Sequence, residues 1–382
     1  MKTVLIFEPL SGGHRTSYIR WLADSITDNP PAGCHFIFVT DPGVDIPAVA
    51  PFSSHKISPE LAKRLKSSGP ARLRGLLRTL FDECVAQHSP DHALILELTR
   101  LELSFALRGA PCPVSAILFV QYPELPRGPK FFFKDWKTAL LLRRAPVRNL
   151  FLLNGEESCR YLAARFGSRS RFIPVPDPVP EITAEAGYSL RREYRISGNQ
   201  TAFLFFGAVS PRKGADVLIK ALHLLPFEAA TKSIFLFCGE PERGYRQAFA
   251  QAVARLRSAR SDIMLNIEDR FVSDQRMMAL FEQSDVVLMP YTRPEYSSGI
   301  LALAAKARTP VMGPDSGLLG RLIRQNGLGA VCSVRPGTVA ESIVNATQHL
   351  PAVDESLCGA FVRKSCPELF ARTILDAVCN ER

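Results

Sequence analysis

The sequence predicts an α/β protein of two lobes, each holding a parallel sheet covered by helices, and three observations carry that expectation. Short apolar runs alternate with helical patterns from end to end, as strands and crossover helices do when a parallel sheet is buried on both faces. A proline-rich segment, 174–180 (PVPDPVP), falls near the middle, where four prolines stiffen the chain and are expected to end both sheet and helix. The halves on either side repeat the architecture without repeating the sequence. With 382 residues and 46% hydrophobic content the chain can supply a core to each of two medium-sized domains.

In the first half, residues 1–178, strands are expected at 4–7, 36–39, 93–96, 116–120 and 149–153. The opening MKTVLIFEPL carries an apolar run too short for a signal peptide and suited to a first buried strand. Gly12 and Gly13 follow it, ahead of a helix expected from Thr16 with Tyr18, Ile19, Leu22 and Ile26 on one face. Glycines there let backbone approach a ligand closely, or simply supply a tight turn with positive φ. His14, beside them in the loop, is either a ligand contact or polar surface.

In the second half, residues 179–365, strands are expected at 202–206, 233–238, 263–267, 286–289 and 310–313. Helices are expected at 242–258, 274–283 and 299–307. The segment 366–382 reads as a final helix.

Bulk properties exclude several classes. Charged residues make up 22% of the chain and no low-complexity run occurs, which argues against general disorder. No apolar stretch approaches the roughly 18 residues of a spanning helix, so an integral membrane protein is not expected. The nine cysteines are scattered, odd in number and never spaced as CxxC. That pattern predicts neither a disulfide framework nor a zinc site, and fits a reducing cytoplasm. Cys238 and Cys332 lie in apolar runs, as small buried hydrophobes do.

The net charge of +10 favours anionic partners: nucleotide-sugars, anionic lipid or nucleic acid. Nothing reads as a nucleic-acid-binding module, and no aromatic platform for RNA can be placed. The run 127–148 concentrates seven cations (Arg127, Lys130, Lys134, Lys137, Arg143, Arg144, Arg148) against one acid, Asp135. Phe131, Phe132, Phe133 and Trp136 are interleaved with them. Such a segment suits peripheral contact with an anionic membrane, at the inner face if the protein is cytoplasmic. It equally suits a basic surface helix whose aromatics pack inward.

Two stretches of the second half carry chemistry. Arg212 and Lys213, followed by Gly214, sit between the strand 202–206 and a helix. There they offer fixed charge, a guanidinium fork and helix-start amides to a diphosphate, or form solvated surface. The stretch 290–311 (PYTRPEYSSGILALAAKARTPV) runs from a buried strand through a polar loop with Glu295, Ser298 and Gly299 into a small-residue helix and a Thr-Pro-Val strand. No Asp-x-Asp occurs, so charge compensation for a diphosphate is expected from side chains and helix dipoles rather than a divalent metal.

Together these residues resemble the sugar-nucleotide site of retaining family 4 glycosyltransferases. In that family a Glu, seven residues and a second Glu precede a small-residue helix and a Thr-Pro-Val strand. Glu295 falls on the first Glu, Leu303 on the second, and residues 304–311 fit the tail. The Lys-Gly element matches Lys213-Gly214, although Ala208 stands where many members have an Arg after the first Gly, with Arg212 as its substitute. Gly317 and Gly320, then Gly327 and Gly329, fall in the family's region after the Thr-Pro-Val strand, where glycines can also be ordinary turns.

The resemblance implies a GT-B fold: two Rossmann-like lobes with parallel sheets facing a central cleft, the first on the acceptor side and the second on the donor side. It also implies a final helix crossing back to the first lobe. The implied activity is transfer of a hexosyl group from a nucleotide-diphosphate-sugar to an acceptor hydroxyl, with retention and without metal or other cofactor. In it Glu295 is catalytic, Arg212, Lys213, Ser298, Gly299, Gly12 and Gly13 bind the donor, and His14 and Leu303 are open positions. Leu303 also keeps a second expectation alive, a catalytically silent GT-B protein binding a sugar-nucleotide or a partner enzyme. A nucleotide-sugar epimerase is a third, for which no carboxylate set can be placed.

Overall fold

A computed structural model describes residues 1–46, 52–167 and 169–380. The chain divides into two compact units, Met1–Asp177 with Pro367–Arg382, and Pro178–Cys366. Among the described residues the first unit contributes β1 (Lys2–Glu8), β2 (Cys34–Thr40), β3 (Phe52–Lys56), β4 (His92–Ile95), β5 (Val114–Ile117), β6 (Val147–Leu153) and β7 (Arg171–Val175). They form one parallel sheet in the order β3-β2-β1-β4-β5-β6-β7.

Strand β1 shows why the run is apolar throughout. Leu5 and Phe7 enter a core with Leu77, Phe81 and Phe105, whereas Val4 and Ile6 enter another with Tyr18, Leu22 and Phe36. Both faces of the sheet are therefore buried, and successive side chains are apolar in both directions. The second face is closed by helices His14–Asp28 and Pro367–Cys379, with Tyr18 and Phe370 rings 4.6 Å apart and Lys2 Nζ donating to Val378 O at 2.6 Å.

The second unit contributes β8 (Thr201–Phe206), β9 (Ser233–Cys238), β10 (Met264–Glu268), β11 (Val286–Leu288), β12 (Val311–Pro314) and β13 (Gly329–Cys332), all parallel, in the order β10-β9-β8-β11-β12-β13. Ala202 and Leu204 face one core and Phe203 and Phe205 the other. In each sheet the winding direction reverses once, at β1/β4 and at β8/β11. Crevices beyond the carboxyl ends of strands at such reversals are where open α/β sheets bind ligands.

Several sequence expectations need correction. Strands β3, β7 and β13 were not foreseen. The proline-rich segment does not begin outside the sheet, because Pro174 lies within β7, paired with Leu152. The sheet tolerates a residue with no N–H there because β7 is its edge. The strand placed at 116–120 is Val114–Ile117, and the helix placed at 242–258 starts only at Arg246. The first helix begins at His14 rather than Thr16, so His14 is a helix residue and not part of the loop. All nine cysteines are free. No helix among the described residues is long and apolar enough to cross a membrane.

Candidate functional site

The reversal of the second sheet brings two loops together, 207–214 after β8 and 289–298 after β11. Their joint is made by backbone. Thr292 donates its N–H to Arg212 O at 3.0 Å and its hydroxyl to Pro211 O at 3.0 Å. Gly214 (φ 81°) lies so close to Pro290 that a Cβ would stand 1.8 Å from its carbonyl oxygen, so only glycine fits. The expected cation pair and the expected acid are thus on neighbouring loops of one sheet edge.

The two cations differ sharply. Arg212 is exposed, its guanidinium 5.9 Å from the Tyr296 ring centroid. Lys213 is 8% exposed and folds back over its own strand end, donating from Nζ to Phe206 O at 3.2 Å, with the Tyr291 ring 5.7 Å away. Gly207, directly after β8, has a φ of 91°, a backbone conformation that favours glycine. Only Arg212 projects a free fork; Lys213 fixes a positive charge at the crevice floor.

Glu295 is 3% exposed and is held by Arg293, whose Nε donates to Oε1 at 2.5 Å. That hydrogen bond, with the carboxylate's charge, raises the Arg293 pKa above its usual value. A buried carboxylate needs such a partner to stay out of water. Arg293 was missed by sequence reasoning, although a cation two residues before an acid in a turn was a signal. Its guanidinium also lies 5.4 Å from the Tyr296 ring, the platform it shares with Arg212.

Ser298 caps helix Gly299–Ala307 by position only; no side-chain hydrogen bond closes that N-terminus. The Ser298 hydroxyl instead lies 3.4 Å from Tyr291 OH, and a Cβ on Gly299 would meet nothing within 4 Å. Open amides and the positive end of the dipole suit an anion. On the same helix Leu303 is 8% exposed within an apolar cluster that includes Leu301, Ala304 and Leu319. Lys306, three residues on, cannot serve a ligand from that helix face, since its Nζ is taken by Pro180 O and Glu181 Oε2, both at 2.9 Å.

The later glycines are structural in different ways. Gly317 packs on Pro294 so tightly that a Cβ would stand 2.9 Å from its carbonyl, and Leu319 N–H donates to Pro294 O at 3.0 Å. Helix Gly317–Gln325 therefore braces the Glu295 loop. Gly329 lies inside β13 against Val311, and Gly327 against Asp354, so this second pair serves packing.

In the first unit Gly12 (φ 100°) and Gly13 (φ 58°) lead into helix His14–Asp28, and a Cβ on either would meet nothing within 4 Å. Backbone conformation, not crowding, selects glycine there. The His14 ring packs at a tilt 4.9 Å from Phe119 and 5.3 Å from Tyr18. Beside this loop, at the β1/β4 reversal, lies a cluster the sequence reading did not single out: Glu8, Arg15, Glu97 and Arg100. Arg15 donates to Glu97 from Nε at 3.0 Å and Nη2 at 2.5 Å, and its Nε is 3.8 Å from Glu8 Oε1. Burial pushes the Glu8 carboxyl up to about 8, with Arg15 pulling the other way. Burial also works against ionised Glu97, yet Arg15 and Arg100 hold that carboxyl below its usual value. The signal available was position: Glu8 and Glu97 each follow an apolar run directly.

No family model matches the sequence. No curated protein matches it either. Solved structures do match across the whole chain. HepE of Anabaena in complex with UDP and glucose is 16% identical, with a TM-score of 0.66 over 100% of both chains. WaaG, a glycosyltransferase involved in lipopolysaccharide biosynthesis, is 15% identical with a TM-score of 0.66, covering 99% of this chain and 100% of its own. OtsA in its apo state is 12% identical with a TM-score of 0.68 over 100% of both. What the chain shares with them at such identities is the fold, the two-lobed α/β architecture called GT-B.

Proposed function

We propose that this protein transfers a hexosyl group from a nucleotide-diphosphate-sugar to an acceptor hydroxyl, with retention at the anomeric carbon and without a metal. The observation that carries the reading is the convergence at the β8/β11 reversal of Arg212, Lys213, the Arg293–Glu295 pair and an uncapped helix start. Breaking the bond from the anomeric carbon to the diphosphate leaves negative charge on the phosphates and positive character on the sugar. Arg212, Lys213 and the amides of Ser298 and Gly299 stabilise the first. Glu295, hydrogen-bonded by Arg293, faces the second or holds the sugar hydroxyls. Gly12 and Gly13 leave backbone open to the ligand in the first unit. A family 4-like assignment rests on these positions and on the Thr-Pro-Val strand.

The Anabaena HepE complexes with UDP and UDP-glucose make a uridine diphosphate sugar the first donor to test. The sequence holds no Asp-x-Asp to bind metal, and the scattered cysteines favour a cytoplasmic setting. The rival, a silent binder, draws on Leu303, which offers no acceptor to a ribose. A thermal-shift panel of nucleosides, nucleoside diphosphates and nucleotide-sugars, followed by transfer assays in a chelator, separates the readings. A selective diphosphate-dependent shift and chelator-resistant turnover are expected. No shift with any nucleotide overturns the transferase reading, and turnover restored only by Mn²⁺ overturns its metal independence.

A further inference from the structure

The basic aromatic run of the first unit has no part in that chemistry. It forms helix Pro129–Arg144 followed by β6, and its aromatics do not all pack inward. Phe131, Thr138 and Leu141 face the core, whereas Phe132 is 62%, Phe133 54% and Trp136 54% exposed. At about 100° per residue Phe132, Trp136 and Arg143 lie within roughly 40° of one another, with Phe133 and Arg144 alongside. Three large aromatics together on one helix face are not ordinary surface.

Charge sorts the same way. Lys137 is buried and paired with Glu102, so it leaves the exposed set. Asp135, the acid of the run, accepts from Tyr122, Tyr161 and Arg165. Arg127, Lys130, Arg143, Arg144 and Arg148 remain exposed. Beyond the helix, Arg143, Arg144, Arg148 and Arg169 line an open concavity of about 520 Å³. A second of about 840 Å³ shares Arg148 and Arg169 and adds Lys2 and Arg171 against one acid, Asp91.

We propose that this face docks on an anionic lipid bilayer, with Phe132, Phe133 and Trp136 entering the headgroup boundary and Arg143, Arg144, Arg148 and Arg169 taking lipid phosphates. The choice of occupant rests on complementarity. An apolar wedge with cations along the same helix face and at its end matches a surface that is negative outside and apolar beneath. A nucleic acid or a soluble polyanion would use the cations and leave the wedge in water, and a second copy of the chain would bring cations against cations.

The test uses sedimentation with phosphatidylcholine vesicles, with and without phosphatidylglycerol, and the emission of Trp136 in a Trp21→Phe background, since the chain has only two tryptophans. Sedimentation and a blue shift are expected only with the anionic vesicles. Arg143→Gln/Arg148→Gln lowers partitioning about 30-fold, from roughly fivefold per cation. Phe132→Ser/Phe133→Ser/Trp136→Ser abolishes sedimentation while leaving the far-UV spectrum and melting temperature intact, because all three side chains are outside the core. Equal recovery with neutral and anionic vesicles overturns the proposal. So does sedimentation that survives the triple serine change, which would assign the patch to simple charge attraction. A wild-type dimer that the serine changes dissociate would assign it to self-association instead.

Discussion

Gly214→Ala tests whether the contact between the two loops of the β8/β11 reversal is what builds the site. The new Cβ would stand 1.8 Å from Pro290 O, and real Cβ atoms essentially never come under 3.0 Å, so the carbonyl must retreat by at least 1.2 Å (3.0 minus 1.8). Holding alanine at positive φ costs about 1–2 kcal/mol, and forcing extra volume into a packed joint about 1–3 kcal/mol more. Gly187→Ala in the same unit is the control, since Gly187 also has positive φ (73°) but nothing within 4 Å of its Cβ. For a unit of this size each kcal/mol is about 2–4 °C, so Gly214→Ala should melt roughly 2–12 °C below Gly187→Ala by scanning calorimetry. The same shift moves the Glu295 loop away from Arg212, and a displacement of about 1 Å at a reacting centre costs on the order of 100-fold in turnover. If the two variants melt together and Gly214→Ala binds nucleoside diphosphate as wild type does, the loops are not rigidly coupled and the argument fails.

Arg212→Ala should weaken nucleoside diphosphate by about 1.5–3 kcal/mol in titration calorimetry with melting unchanged. Lys213→Ala should weaken binding similarly but also lower melting, because Phe206 O loses its donor; matching melting losses would contradict that division. Glu8 has a carboxyl pushed up to about 8 from 4.5, mainly by burial, with Arg15, Glu97, Arg100 and Leu10 N–H around it. The stability it adds is therefore full below about 4.5 and gone once pH has risen through about 8. Glu8→Gln should remove that decline, worth up to about 1.4 kcal/mol per pH unit in the window. A melting difference from wild type that stays constant with pH would refute it. Leu303→Glu should tighten donor nucleotide about tenfold by supplying an acceptor to the ribose, while lowering melting because the carboxylate enters an apolar cluster. Unchanged or weaker affinity would place Leu303 away from the ribose.

Most strands that could be read in the sequence are buried on both faces, and those that could not are sheet edges; β10 is the edge strand that could be read, from the apolar positions within 263–267. The middle of β1, residues 4–7, and nearly all of β9 are apolar because both cores need them. β3 reads FSSHK, with three exposed positions in five, β7 carries Pro174, and β13 is four residues with a glycine. Each of these lies at the margin of its sheet, where one neighbour is missing and the two-sided apolar signal fades. The candidate site divides similarly. Arg212, Lys213, Glu295, Ser298 and Gly299 were legible because they sit in short loops after strong strands. The platform that Tyr296 offers to Arg212 and the brace through Gly317 were not, since they come from contacts between segments distant in sequence, whereas the Arg293–Glu295 pair is local and its signal was overlooked. The Glu8–Arg15–Glu97 cluster shows the same limit, because burial sets the state of Glu8 and a cation 82 residues away that of Glu97.

The last helix, Pro367–Cys379, completes the core of the first unit although the whole second unit precedes it in the chain. During synthesis, Tyr18, Leu22 and Ile26 are made with the first segment of this unit, while Phe370, Ile374 and Val378 follow only about 190 residues after that segment ends at Asp177, a delay of about 10–40 s at roughly 5–20 residues per second. Until then the nascent amino-terminal unit shows an uncovered apolar face to chaperones and proteases. Its maturation therefore depends on synthesis running through the second unit to Val378, and a stop anywhere in the second unit leaves two damaged domains instead of one.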